Sequence, residues 1–290
     1  LNIPLNKTSN NINLEGSIGY ISRLNPDINF SGNIPYWFDS RGVNFGEIDS
    51  IFKINSTQLS NLKIFRKNRI SGFVTANGSL KGKINDPDIS VFFDIAYPTY
   101  KGLRIKEVWK GELNNQNNKF ELNMQNGSSP IPTFFSMQFN SDMKFENLNF
   151  IRIINANNKG TLNINKSDKG YIWNANNFPL DIIEFGTSDN NFNSIGGTIN
   201  GLGFISSNQS NLNGRLAWSF GKYGNIKFDN SLFNFSLKDQ SVYIKSSLYP
   251  IDGGSINLEY DSNKYNRLYA EFKNILTSWS IIGAIDIFLE

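Results

Sequence analysis

The chain contains no cysteine and no histidine. The first absence removes disulfide staples, thiolate nucleophiles and zinc–thiolate sites. The second removes serine–histidine–aspartate hydrolysis, histidine-ligated metals and histidine general bases. Charge is also sparse: 18% of the 290 residues are Asp, Glu, Lys or Arg, and the formal net charge is +3. A dedicated nucleic-acid binder concentrates far more basic charge than this. The densest basic stretch, KIFRKNR from Lys63 to Arg69, stands alone and reads as a solvated loop or edge strand. No apolar run is long enough for a transmembrane helix. The opening residues, LNIPLNKTSNN, lack both a basic n-region and an apolar h-region. The closing SIIGAIDIFLE is an apolar run without a polar tail. Both ends read as cut, and the expectation is a piece of a longer protein.

What is present favours strands. Asn, Ile, Phe and Gly are plentiful and Ala is scarce, a mixture that disfavours helix and suits strands joined by turns. The Asn/Ile/Lys bias also fits an AT-rich genome. Alternation with a period of two recurs along the chain. It places Ile28, Phe30, Ile34 and Tyr36 on one side of a strand, and likewise Ile89, Val91, Phe93, Ile95 and Tyr97. The same pattern groups Phe120, Leu122 and Met124, then Leu162 and Ile164, then Leu216, Trp218 and Phe220. It continues through Ile226 and Phe228, through Phe233, Phe235 and Leu237, and through Ile256, Leu258 and Tyr260. Turn signals separate these runs: Asn126-Gly127, Gly196-Gly197 and Asp252-Gly253-Gly254. Short strands at close spacing predict an all-β chain. PLDIIEF, Pro179 to Phe185, and the C-terminal run are the two candidates for short helices, and both read equally well as strands.

The pattern repeats. The segment beginning Gly16-Ser17-Ile18 and the one beginning Gly78-Ser79-Leu80 each continue to Pro-Asp-Ile, at Pro26 and Pro87. Each then reaches a glycine, Gly42 or Gly102, followed by a glutamate in register, Glu47 or Glu107. A weaker third copy begins near GGTINGLGF, where Gly197 and Gly203 keep the spacing of Gly72 and Gly78. The expected units are 12–70, 71–130, a degenerate 131–190, and 191–260, followed by a truncated portion, 261–290. A unit of a few strands with one apolar face cannot bury that face alone. Stacked units make a continuous sheet. If such a sheet curls without closing, it forms a long apolar groove with a polar outer wall.

RISGFVTANGSLKGKINDPDIS, residues 69–90, resembles the recurrent signature of the TamB/AsmA-like family: Gly-rich strands, then Gly-x-Leu-x-Gly-x-Ile-x-Asp-Pro. Residues 214–260, from GRLAWSFGKYG to INLEY, are similar to the modules of that family. YIWNANNFPLDII, 171–183, looks like its Trp…Phe-Pro-Leu segment. The resemblance spans most of 12–260, and the Asn-rich composition looks like a cyanobacterial-type member. It implies an elongated repeating β-sheet curled into an open hydrophobic groove, a β-taco, within an inner-membrane-anchored protein of the periplasm. It further implies a role in outer-membrane biogenesis and protein secretion by passive phospholipid transfer, without a cofactor, and a BamA-type outer-membrane barrel as a possible partner. Two other readings stay open: an outer-membrane β-barrel or barrel-assembly factor, and a surface adhesin or β-solenoid with a dry core.

On this reading no catalytic residue is expected, and no metal. Acyl chains would be lined by Ile89, Val91, Phe93, Ile95, Tyr97, Leu216, Trp218, Phe220, Ile226, Phe228, Phe233, Phe235, Ile256, Leu258 and Tyr260. The same alternation also fits an ordinary sandwich core. Asp86 and Asp88 flank Pro87 and read as turn residues rather than an acid/base pair. Asp181 and Glu184 could share one helical face or simply be solvated. The glycines lack the Gly-Lys-Ser/Thr and strand-to-helix context of a phosphate loop and suit bulges and close strand approach instead. Trp37, Trp109, Trp173, Trp218 and Trp279 are too irregularly placed for the aromatic girdle of a membrane barrel and suit core or rim positions.

Overall fold

The computed structural model describes residues 10–18, 28–39, 42–61, 63–67, 69–127, 132–140, 145–157, 159–186, 192–239, 241–263, 267–274 and 283–288. The protein is all-β, and the strand pairings set out below are antiparallel. The chain forms two compact units. Unit one comprises 1–101, 107–128 and 138–143, and unit two comprises 102–106, 129–137 and 144–290. Neither coincides with a single sequence repeat.

Unit one begins with β1 (Asn10–Ile18), β2 (Ile28–Asp39), β3 (Gly42–Phe45), β4 (Glu47–Gln58), β5 (Ile70–Lys83) and β6 (Asp86–Tyr100). The three-residue β7 (Leu103–Ile105) belongs to unit two, and unit one resumes with β8 (Val108–Gln116) and β9 (Lys119–Asn126). These strands pair in a meander, β1–β2–β4–β5–β6–β8–β9, with β3 folded back on the end of β2. After β10 (Thr133–Asn140), unit two continues with β11 (Leu148–Asn155), β12 (Thr161–Ser167), β13 (Gly170–Pro179) and β14 (Ile183–Gly186). It then runs through β15 (Phe192–Ser206), β16 (Asn211–Tyr223), β17 (Ile226–Lys227), β18 (Ser231–Lys238) and β19 (Ser241–Leu248). The last strands are β20 (Ser255–Asp261), β21 (Arg267–Lys273) and β22 (Gly283–Phe288). Its meander is β11–β12–β13–β15–β16–β18–β19–β20–β21–β22, with β14 bridging β15 and β7.

Both segments that read as helix or strand contain strands, β14 and β22. The basic stretch departs from its expected loop or edge strand. Lys63–Lys67 forms one turn of helix, α1, between β4 and β5. Five residues are too few to carry a helical period, and Lys, Ile, Phe and Arg tolerate helix once the chain must reverse there.

The sequence repeat has a structural counterpart. β1 to β4 and β5 to β8 follow the same course: a long strand, a second long strand, a short strand, then a return strand. Gly42 and Gly102 open the short strands with φ of 127° and 86°, a backbone region that suits glycine. Asp86-Pro87-Asp88 follows the turn at Ile84–Asn85 and starts β6, with Asp86 opposite Lys83 and Asp88 opposite Lys81. It therefore marks the start of a strand. Pro26 lies outside the described residues.

Candidate functional site: an uncharged apolar face in each unit

The strand registers turn the one-dimensional alternation into faces. In unit one a row of paired residues runs Gly16, Phe30, Phe52, Gly78, Val91, Leu113, Leu122 from β1 to β9. The neighbouring row is Ile28, Ile54, Ala76, Phe93, Gly111, Met124. Neither row holds a charged residue. The opposite face carries the polarity: Glu15, Ser31, Ile51, Ser79, Ser90, Asn114 and Glu121 form one of its rows, and Ser17, Asn29, Lys53, Asn77, Phe92, Glu112 and Asn123 another. With strands about 4.8 Å apart, the apolar band crosses seven strands, roughly 29 Å.

Unit two repeats the arrangement independently. One row runs Ile164, Trp173, Gly203, Gly214, Phe235, Ile244, Tyr260, Leu268. The next runs Leu162, Ala175, Gly201, Leu216, Phe233, Ser246, Leu258, Ala270. Again no charge occurs in either row, while Arg215, Lys245 and Glu259 lie on the other side.

Glycine and aromatic residues are matched across strands on these faces. The ring of Phe52 lies over Gly78, where an added Cβ would overlap it. The Trp173 indole covers both Gly203 and Gly214 and stacks on Phe235, with ring centroids 5.9 Å apart and planes 12° apart. Its Nε1 donates to the Asn213 carbonyl at 3.3 Å. Trp109, Trp173 and Trp218 are buried, and so are Val74 and Ala76. Most other residues of the two faces, including Val91, Phe93, Phe233, Leu258 and Tyr260, are only half-buried, and Phe30 keeps 37% of its surface accessible. A face covered by a second layer would bury such residues throughout.

The expected lining residues divide accordingly. Ile89, Val91, Phe93 and Ile95 share the face of unit one, and Leu216, Trp218, Phe233, Phe235, Leu258 and Tyr260 share that of unit two, with Ile256 on the same side of β20. Two residues leave the pattern. Tyr97 and Phe220 sit at β-bulges with φ of 48° and 50°, and both are exposed. Ile226 is 54% exposed on the two-residue β17, whereas Phe228 is buried against Trp218 at 5.4 Å. A bulge shifts the parity of everything beyond it, so the simple alternation from Ile95 to Tyr97 and from Trp218 to Phe220 is not kept in space, whereas Ile226 pairs with Tyr223, itself opposite Ile195, and stays on the apolar-face parity. The alternation count passed over Trp173, although the pairing of two glycines beside it was a signal that a large ring must lie there.

Among the described residues no cluster of three or more Asp or Glu could hold a metal. Glu184, expected to share a helical face with Asp181 or to be solvated, accepts from Arg104 Nε at 2.7 Å and has Lys106 Nζ at 3.8 Å, an ion pair that ties β14 to β7. Asp181 is exposed in a turn. Burial pushes the Tyr171 phenol up, with Glu146 adding to the shift. Hydrogen bonds from Lys273 and Asn257 hold Glu271 below its ordinary value. A depression of about 740 Å³ in unit one is lined by Glu15, Ser17, Asn29, Ser31 and Lys53 from the polar face and by Gly16, Phe30, Phe52 and Gly78 from the apolar rows.

No family model matches the chain, and neither a curated protein nor a solved structure does.

Proposed function

We propose that this chain is a segment of a TamB/AsmA-like, envelope-spanning protein that carries phospholipid acyl chains along its apolar sheet faces in support of outer-membrane biogenesis. The observation behind this reading is the sorting of charge: in each unit an uncharged, half-accessible band crosses many strands, and the charges occupy the other side. Hydrocarbon is the ligand that such a band suits. Each methylene moved from water onto it is worth about 0.8 kcal/mol, and a uniform band lets a chain slide without crossing a charged barrier. No catalyst is required. On this reading the protein acts in the periplasm, its membrane anchor lies outside these residues, and its partners are phospholipid and a BamA-type barrel.

The protein purified from a bacterial envelope then carries phospholipid, detected by extraction and mass spectrometry. Phe93→Asp places a charge in the centre of the band and is expected to strip that lipid while far-UV circular dichroism stays that of a β protein. Equal lipid in both proteins contradicts the proposal. Heat-modifiable gel mobility after detergent insertion favours the outer-membrane barrel in its place, and a folded, lipid-free protein favours the adhesin or solenoid.

A further inference from the structure

The side of unit two that faces away from its apolar rows carries a hollow of its own. Two rows of side chains cross it. Leu202, Arg215, Asn234 and Lys245 are successive cross-strand partners on β15, β16, β18 and β19, and Asn213, Ser236 and Tyr243 form the neighbouring row. An open depression of about 650 Å³ is lined by both rows, and by Gly203, Gly214 and Phe235 that lie between them in sequence. On the other side of the sheet the place above these glycines is taken: a Cβ added to Gly203 or Gly214 would run into the Trp173 indole. Trp173 takes no part in lining the depression. The hollow therefore opens on the charged side.

Its chemistry is mixed. Arg215 and Lys245 stand two strands apart, roughly 10 Å, with Asn234 between them. All three are exposed. Among the described residues no carboxylate pairs with the Arg215 guanidinium. Lys245 Nζ lies 3.7 Å from Glu259 Oε2, but those side chains keep 58% and 41% of their surface accessible. So exposed a pair is worth little and exchanges readily for another anion. Asp261, opposite Tyr243, already accepts from the Asn263 N–H at 2.9 Å. Leu202 is 66% exposed beside Arg215, and Ile172, 51% exposed, lies diagonally across from it on β13.

Each feature narrows the ligand. A guanidinium matches a planar carboxylate with two parallel hydrogen bonds. The second cation adds a second anionic point, at a distance that two linked sugar rings span. Asn213, Asn234, Ser236 and Tyr243 both donate and accept, so the remainder of the ligand must do both, as hydroxyl groups do and hydrocarbon does not. The exposed aliphatic side chains suit the C–H face of a sugar ring. Single-stranded nucleic acid stacks on a series of rings, and Tyr243 is the one ring of the two rows.

We infer that the depression across β15, β16, β18 and β19 is a binding site for an acidic oligosaccharide, with carboxylates on Arg215 and Lys245 and hydroxyl groups on the amides and hydroxyls between them. The site lies on the opposite side of the sheet from the apolar rows and stands whether or not those rows carry lipid. Unit one does not repeat it, because the polar residues around its depression offer one cation, Lys53, and one acid, Glu15.

The test measures binding of the purified protein to tetragalacturonate, tetramannuronate and tetraguluronate, and to the same chains with every carboxylate reduced to the alcohol. At least one acidic chain is expected to bind about tenfold tighter than its reduced form. Arg215→Gln with Lys245→Gln is expected to abolish that preference. Asn234→Ala leaves the charge unchanged and is expected to weaken binding about fivefold. Lys222→Gln with Lys227→Gln removes the same charge from exposed residues elsewhere in unit two and is expected to bind as the parent does. All five side chains are exposed, so the thermal midpoint is expected to stay that of the parent. The inference is overturned if no acidic chain is preferred to its reduced form. It is also overturned if the two glutamine pairs weaken binding alike, which is attraction by total charge. Binding of polyglutamate as tight as that of the acidic sugars, with Asn234→Ala without effect, overturns it too.

Discussion

Gly78 and Phe52 show how single residues shape the apolar face. The ring needs a flat partner across the strand, and only glycine leaves that space. Gly78→Val forces the ring off its seat and is expected to cost about 1–3 kcal/mol, measured by chemical denaturation. A change below about 0.5 kcal/mol would show that the ring relocates freely. Tyr171 offers a pH test. It is 1% exposed, and burial raises its phenol pKa above the ordinary 10.0. A raised folded-state value contributes stability that is complete below the unfolded pKa and fades as pH climbs through the folded one. The expected outcome is a phenolate absorbance step above pH 10 for Tyr171, with stability falling as that phenol ionises and no such fall in Tyr171→Phe. Residue identity was the most legible level of the sequence: the missing Cys and His exclude thiolate and imidazole chemistry. Which glycine serves which ring was hidden, because Gly78 and Phe52 lie on different strands.

At the level of elements, alternation located most of the strands and Asp252-Gly253-Gly254 marked a turn, but Gly196-Gly197, expected to be a turn, lies inside β15 at a bulge. Alternation did not locate bulges. A bulge adds one residue and shifts all parity after it, so Tyr97 and Phe220 read as members of rows that they leave. α1 was equally hidden, since one helical turn has no period to detect. Burial separates two neighbouring substitutions. Ile226→Asp falls on an exposed site and is expected to change stability by no more than about 0.5 kcal/mol. Phe228→Ala removes a buried ring packed on Trp218 and is expected to cost about 3–5 kcal/mol. Denaturation midpoints of both variants check the contrast in burial, and similar losses in the two would contradict it.

Over the chain as a whole, the repeat and the all-β class were legible in composition and spacing. The faces were not, because they exist only once seven or more strands are in register. Val91, Leu113 and Leu122 are unremarkable in three separate stretches of sequence and adjacent in space. The same registers put Ser90 and Asn114 on the other side. That two-sidedness permits a direct test. A photo-reactive amino acid is introduced singly at Val91, Phe93, Leu113 and Phe235, and at Ser90, Asn114 and Asn234 as controls, and illuminated in cells. If hydrocarbon travels over the apolar faces, phospholipid adducts form at the first four positions and are near background at the three controls. Protein adducts alone at Val91, Phe93, Leu113 and Phe235, or lipid adducts spread evenly over both sides, would contradict the carriage of lipid by these faces.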